Sequence, residues 1–339
     1  NDKNYPNFKK LLRMLKTKTI SSSMSFSVSN KYENYEYGSR GFFSFSNNMK
    51  NLFIKDFWLM FYDMLRFYRI SKKLLIKKEI GKISLKDFIL KHNFNKYFIN
   101  DHLIPMCSAI WSCSKNNVMN MPAHFVIAFF NNHGLLSLFN KPKWRSVKGG
   151  SQNYVSQLEK KIKGSILKKE IVNEVIRKKD KVLVKSSNFN NEFDEVIFAT
   201  HSDDILKILK NPTKKEKLFF SKLKYETNTV LVHQDNKLLP TNKKIWCSWN
   251  VIRFKKDTFN NSNGVCVTYW INKLQNFKTF EPLLVTLNPP KNNLPDKKKV
   301  LKSITFEHPI FDYNCFNHKI FQIISMIMQM KIFLNIFKI

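Results

Sequence analysis

Glycine is scarce in this chain, and the scarcity restricts what it can fold into more than any other feature. Only 8 glycines occur among 339 residues. None forms the G-x-G-x-x-G turn whose bare backbone can wrap a dinucleotide pyrophosphate. What remains includes one doublet, Gly149-Gly150, standing directly before a segment of helical pattern. Two glycines at a helix start let the backbone approach a phosphate or a ring closely, with free N–H groups pointing outward. The same doublet also serves as an ordinary turn.

Bulk composition allows a large folded chain of one or two domains. Hydrophobic residues make up 43% and aromatics 14%, with 31 phenylalanines, ample for a packed core and too apolar for global disorder. The net charge is +33, from 58 basic and 25 acidic residues. Lys, Asn, Ile and Phe are used freely while Gly, Ala and Arg are sparse, the pattern of AT-rich codons. The basic residues are spread along the chain and form no single stripe. Nucleic acid is therefore not expected as a partner, whereas scattered lysines near anionic lipid contribute about 1 kcal/mol each. The cysteines at 107, 113, 247, 266 and 315 include no C-x-x-C, so neither a zinc ribbon nor a disulfide framework is indicated, and no metal is expected. H-E-x-x-H, G-x-S-x-G and the phosphate-loop pattern are also missing. The N-terminus has no signal-peptide core, and no run reaches the roughly 18 apolar residues of a membrane span. A reducing cytoplasm fits, with a peripheral position on the inner membrane as a variant.

Periodicity supplies the elements. Residues 1–20 read as a short basic helix, and Met24 to Ser29 alternate strictly, as a strand does. Residues 50–79 are the clearest helix. Phe53, Phe57, Phe61, Leu65 and Tyr68 are expected on its core face, with Ile54, Trp58 and Tyr62 beside them and Asp63 among the solvent-facing residues. Ser84 to Asp87 resembles a capping box. Helices are expected from His102 to Trp111, with Pro105 in the first turn, over 122–132 ending at His133-Gly134, and over 151–163. Strands are expected at Ile166–Val175, Lys181–Lys185 and Glu195–Ala199, then a helix through Ile205–Leu209 closed by Asn211-Pro212. Asn228–His233, Lys244–Trp249, Val265–Ile271 and Leu283–Leu287 follow as strands, and 287–300 as a surface loop. Residues 318–339, almost all Ile, Phe, Met and Lys, break from this composition. They read either as an amphipathic anchor or as a frameshifted end.

Taken together, a Gly-Gly-helix, a β-meander and a strand ending Ala199-Thr200 resemble the central segment of flavin-containing amine oxidases and phytoene-desaturase-like enzymes. The order of motifs more closely resembles a bacterial family described as predicted NAD/FAD-binding, amine-oxidase-like proteins. Tyr5-Pro6-Asn7, Ala109-Ile110-Trp111-Ser112, Asn132-His133-Gly134, Trp144-Arg145-x-Val147-x-Gly149-Gly150-Ser151, Phe198-Ala199-Thr200-His201, Trp246-x-Ser248-Trp249-Asn250, Val267-Thr268-Tyr269-Trp270 and Glu307-His308-Pro309 carry the likeness.

The resemblance implies an α/β and α+β protein. An FAD/NAD(P)-binding Rossmann-like domain, lacking its N-terminal Gly-rich βαβ unit, would accompany a substrate domain of mixed sheet plus helices. The expected division is 1–22 as a remnant of the cofactor domain, 23–140 as a mostly helical first part of the substrate domain, and 141–212 as the middle of the cofactor domain. Residues 213–313 would be the β-rich second part, and 314–339 an aberrant tail with a frame change near Asn317. Because the chain opens on Asn1 and lacks the Gly-rich turn, it is expected to be an internal, truncated piece of a larger enzyme, inactive alone. Gly149, Gly150, Ser151, Val172, Thr200 and His201 would meet FAD. Trp111, Trp249, Asn250, Tyr269 and Trp270 would face the ring, and His133 is the candidate base. NAD(P) is a candidate redox partner. The implied chemistry is hydride abstraction from a C–H bond, and the Phe-rich helices favour an apolar or lipid-like substrate. The competing readings are a non-enzymatic basic protein associated with membrane or nucleic acid, and an inactive decayed gene product.

Overall fold

The computed structural model describes residues 1, 3–39, 49–139, 141–254 and 266–313. Gly41, Gly264, Cys315 and the apolar tail at 314–339 lie outside them. The chain divides into two units, residues 1–157 with 226–308, and residues 158–225 with those after 308.

The first unit is built on a seven-stranded mixed sheet. Its strands are β2 (Phe26–Asn30), β3 (Tyr35–Gly38), β8 (Tyr225–His233), β9 (Trp249–Arg253), β10 (Val267–Trp270), β11 (Leu284–Leu287) and β12 (Val300–Pro309). Their order is β12-β8-β11-β10-β9-β2-β3. β2 runs parallel to β9, with Val28 opposite Val251, and antiparallel to β3, with Val28 opposite Tyr37. The alternation seen in the sequence sorts β2 and β3 into two faces. Phe26, Tyr35 and Tyr37 meet the helical layer, where the Tyr37 and Phe57 rings lie 6.3 Å apart. Ser27 and Ser29 point the other way into a buried polar row. There Ser27 Oγ donates to Asn250 Oδ1 at 2.7 Å, and the hydroxyls of Thr268 and Thr286 meet at 2.8 Å. His233 Nε2 continues the row to Thr286 Oγ1 at 2.7 Å. Every member is fully buried, and each has the partner that burial of a polar group demands.

The helical layer contains α2 (Lys55–Lys77), α3 (Leu85–Lys91), a π-helical turn (Ile99–Leu103) running into α4 (Ile104–Trp111), and α5 (Ala123–Asn132). Ser84 caps α3 by accepting from the Asp87 N–H at 3.1 Å, as its sequence requires. Phe67, Phe88, Phe94 and Phe98 form one aromatic cluster with ring separations of 5.3–6.3 Å. The core face of α2 is not the expected one. Phe57, Met60, Asp63, Met64, Phe67 and Ser71 are buried, while Phe53, Trp58, Tyr62 and Leu65 are exposed. A strict four-residue spacing rotates by about 40° per step on a helix of 3.6 residues per turn, so the aromatic series winds off the core. Asp63 is drawn inside because it accepts two hydrogen bonds from Asn95, both at 2.6 Å, and pairs with Arg66 Nε at 3.0 Å.

A two-stranded ribbon of β1 (Thr19–Ser22) and β4 (Trp144–Val147) completes this unit, together with α1 (Pro6–Met14) and the short α9 (Ile271–Gln275). Ser22 Oγ and Ser146 Oγ both donate to the Leu274 carbonyl at 2.7 Å, fastening α9 to the ribbon. α6 (Gln152–Glu159) follows the Gly149-Gly150 turn.

The second unit carries the antiparallel meander β5 (Val172–Arg177), β6 (Val182–Ser186) and β7 (Asn190–Phe193), with α7 (Ser202–Ile208) and α8 (Lys214–Phe220). Val175, Val184, Ile205 and Leu209 are its core. β5 and β6 agree with expectation, although the start predicted at 166 falls at 172, and β7 lies where no strand was expected. The predicted strand Glu195–Ala199 is unpaired extended chain, with Ile197 exposed. Among the described residues, 144–210 contribute no strand to a parallel sheet. Their one parallel contact is the isolated bridge Val175–Leu209. An apolar run becomes a central parallel strand only when neighbours flank it, and here none does. Residues 244–249 also depart from expectation, being a 3₁₀ turn at Lys243–Ile245 followed by β9. α8, with its Thr213–Glu216 capping box, and the ten-residue β12 were not anticipated.

Candidate functional site

Two cavities in the first unit share a wall. The larger, about 610 Å³, lies among α1, the β1–β4 ribbon and the start of α6. The other, about 550 Å³, lies between the ribbon, β2 and the helical layer. Trp144 lines both. Beside it, Tyr5 belongs to the first cavity and His133 to the second, and their side chains meet at 3.1 Å between the hydroxyl and Nε2.

The cavity at α1 is basic and aromatic. Lys9, Arg13 and Arg145 line it with Tyr5, Phe8 and Tyr154, and no carboxylate is among its described lining residues. Thr17 Oγ1 is buried on its wall without a hydrogen-bond partner, a group that burial leaves in want of one. Ser151 stands at its edge. Gly149 and Gly150 precede it in left-handed conformation, φ 75° and 87°. A Cβ at Gly149 would come within 2.7 Å of Asn153 Nδ2, which closes the turn by donating to the Lys148 carbonyl.

The second cavity is lined by apolar Met64, Met106, Ile110 and Phe129 and by polar Ser21, Ser22, Ser23, Lys141, Lys143 and Lys273. A hydrogen-bonded chain opens on it. Tyr37 donates to the Asp101 carbonyl at 2.8 Å and meets His102 Nδ1 at 2.9 Å, while Tyr68 meets His102 Nε2 at 3.3 Å. With Tyr37 committed to the carbonyl, His102 Nδ1–H donates to the Tyr37 oxygen and Nε2 accepts from Tyr68. Burial, helped by Lys141, holds His102 down at about 3. Its imidazole is therefore neutral at any ordinary pH. Burial likewise pushes the Tyr68 phenol up.

His133 ends α5. Its Nδ1 faces the Phe129 carbonyl at 2.9 Å, and its ring stacks on Phe129 at 3.8 Å. Burial lowers its pKa, with the backbone hydrogen bond to Phe129 opposing. Both ring nitrogens are engaged, so His133 forms wall rather than a free base. Gly134 follows at φ 70°, where a Cβ would meet Pro142 Cδ at 2.4 Å. That close approach sets the path of the segment bearing Lys141 and Lys143.

Of the residues expected to face a ring, Trp249 lines the second cavity. Trp111, Asn250, Tyr269 and Trp270 are not among its described lining residues. Trp111 packs among Phe125, Phe129 and Phe130. Asn250 makes four hydrogen bonds, with Ser27, Cys247 twice and Thr268, which exhausts its amide. Tyr269 donates to the Ala109 carbonyl at 3.0 Å, and burial pushes its phenol up to about 12. Trp270 packs edge-on against Trp246, its buried Nε1 without a hydrogen-bond partner. Val172, Thr200 and His201 belong to the second unit, apart in the chain from Gly149, Gly150 and Ser151. His201 stacks on Tyr225 at 4.4 Å. Tyr68 and His102, which the structure brings to the cavity, were read only as helical residues. His102 stands at the polar start of its expected helix, directly after Asn100-Asp101, where nothing in the sequence set it apart.

No protein-family model matches the sequence, and no curated protein matches it. Solved structures do. A conjugated-linoleic-acid-producing fatty acid isomerase from P. acnes superposes with a TM-score of 0.65 over 95% of this chain and 77% of its own, at 12% identity. Cyclohexylamine oxidase from Brevibacterium oxydans IH-35A gives 0.55, covering 88% and 70%, at 8% identity. Putrescine oxidase bound to putrescine gives 0.53, covering 86% of this chain at 11% identity, and the chain spans 62% of its length. At such identities the likeness concerns the fold, which is the amine-oxidase-like fold that the ordered motifs implied. Among the described residues, no helix is long and apolar enough to cross a membrane.

Proposed function

We propose that the chain belongs to a flavin-dependent oxidoreductase whose substrate is apolar or lipid-like. The observation that carries this is the pair of cavities divided by Trp144 and the Tyr5–His133 contact, one suited to an anionic aromatic cofactor and the other to an apolar molecule. The donor set of the cavity at α1 fits the flavin end of FAD. Arg13 and Lys9 suit a phosphate, Thr17 Oγ1 lacks a partner, and Tyr5 and Tyr154 suit a flat ring. The dinucleotide end has no Gly-rich turn in this sequence, so Gly149, Gly150 and Ser151 are the backbone positions left to approach it. When bound, a flavin supplies an acceptor for a hydride equivalent from a C–H bond. The chain's part is to exclude water from the second cavity with Phe129, Met64 and Met106, and to keep neutral His102 and Tyr68 where no charged base competes.

Purified chain titrated with FAD is the test. Flavin absorbance retained after desalting, and bleached anaerobically by an apolar substrate, would support the reading and overturn the expectation that this chain is inactive alone. Reduction by primary amines alone would overturn the substrate class, and failure to retain flavin would leave a non-catalytic binding protein. A peripheral membrane position is a second reading, favoured by Phe53, Trp58 and Tyr62 exposed on and beside α2, with Lys55, Arg69, Lys72 and Lys73 on the same helix.

A further inference from the structure

The second cavity has both an apolar and a basic lining. Lys141, Lys143 and Lys273 line it, and among the described lining residues there is no aspartate or glutamate. Lys141 and Lys143 have no carboxylate partner among the described residues, in contrast to Lys185 and Lys210, which share Glu174. The Lys141 side chain is exposed along its length, but desolvation at the cavity still draws its ammonium below the usual lysine range. A cation that is partly dehydrated and unpaired is stabilised by any anion that enters. Three serines, Ser21, Ser22 and Ser23, also line it. Ser22 gives its hydrogen to Leu274 and Ser23 gives its own to Ser25. Met64, Met106, Ile110 and Phe129 supply the apolar part of the lining.

We propose, as a refinement resting on the flavoenzyme reading, that this cavity takes an amphiphile with a single anionic head, held at Lys141, Lys143 and Lys273, and its apolar tail against Met64, Met106 and Ile110. A primary amine is the wrong substrate for it. An alkylammonium entering there would meet Lys141 and Lys143, which have no carboxylate partner among the described residues, and like charges at close range oppose binding. Carboxylate and phosphate heads share the required chemistry.

Calorimetric titration of the full chain with dodecanoate, dodecyl phosphate, dodecanol and dodecylammonium, each as monomer, separates these cases. Dodecanoate or dodecyl phosphate should bind at least about tenfold more tightly than dodecanol, the scale of one charge-assisted hydrogen bond, and dodecylammonium more weakly than both. The tighter of the two anions identifies a fatty acid or a phosphomonoester as the source. The Lys141→Gln/Lys143→Gln double variant should lose that factor for the anions while keeping dodecanol affinity. Lys297→Gln/Lys298→Gln, which removes the same charge from a distant surface turn, should change nothing. Ile110→Trp should weaken all tails, and circular dichroism checks that each variant folds. Equal affinity for acid and alcohol, tight ammonium binding, or equal losses in the two lysine pairs would overturn the proposal, the last by exposing general attraction to a chain of net charge +33. Flavin retention is scored separately. Anion binding without flavin would sink the flavoenzyme reading and leave the head-group assignment standing.

Discussion

The Tyr5 hydroxyl lies 3.1 Å from His133 Nε2, joining residues 128 positions apart across the partition between two cavities. Because His133 Nδ1 faces a carbonyl, its N–H is spent there and Nε2 accepts from the phenol. Tyr5→Phe leaves that buried nitrogen without its donor. A loss of about 1–2 kcal/mol is expected in urea unfolding. An unchanged midpoint would mean that solvent already reaches Nε2.

His102 links pH to stability. Its folded pKa, about 3, lies below the ordinary value of 6.5, so between those limits the unfolded chain binds a proton that the folded chain does not. Stability is full above pH 6.5 and falls on acidification, by about 1.4 kcal/mol per pH unit from this one group. His102→Gln should flatten the slope between pH 6 and 4 relative to the parent. Parallel curves would show that His102 titrates normally.

Glu36 gives a linkage of the same sign in a more acidic window. Burial raises its pKa, but hydrogen bonds from Ser29 Oγ and the N–H groups of Thr241 and Asn242, with Lys31 nearby, outweigh that and hold it below the carboxylate value of 4.5. Its ionised form therefore stabilises the fold above pH 4.5, and the gain disappears as pH falls through the depressed pKa. Glu36→Gln should cost about 1–3 kcal/mol at pH 7 and approach the parent near pH 3, as read by thermal melts.

Gly134 and Phe67 test the scaffold. Gly134→Ala puts a methyl against Pro142 at a positive φ. It should destabilise by about 1–2 kcal/mol and weaken amphiphile binding by displacing Lys141 and Lys143. Phe67→Ala opens the aromatic cluster under α2 and should cost about 3–5 kcal/mol while sparing any flavin bound at α1.

For the membrane reading, Trp58→Ser/Tyr62→Ser should cut sedimentation with anionic vesicles several-fold without shifting the melt, since both side chains are largely exposed. Binding that responds only to salt would assign the attraction to scattered lysines.

Local signals were legible where local physics decides. Ser84 and Gly134 marked helix ends that the structure keeps, alternation found β2, and the turn-bounded apolar runs found β10 and β11. Burial decided the rest. The aromatic series on α2 pointed to a different face, yet Asp63 is inside because Asn95, 32 positions away, supplies its hydrogen bonds. Glu195–Ala199 has every strand propensity and no strand beside it. Of the site, Trp249, His133 and the glycine doublet could be found by motif order. Tyr37, Tyr68 and His102 could not, because their relation exists only after α2 and the π-turn pack on β3.

Trp144 borders both cavities, and it is one of six tryptophans. A derivative retaining that indole alone would carry its own optical gauge. Its emission would answer separately to a guest on either side, so the two chambers could be followed in real time without any added dye.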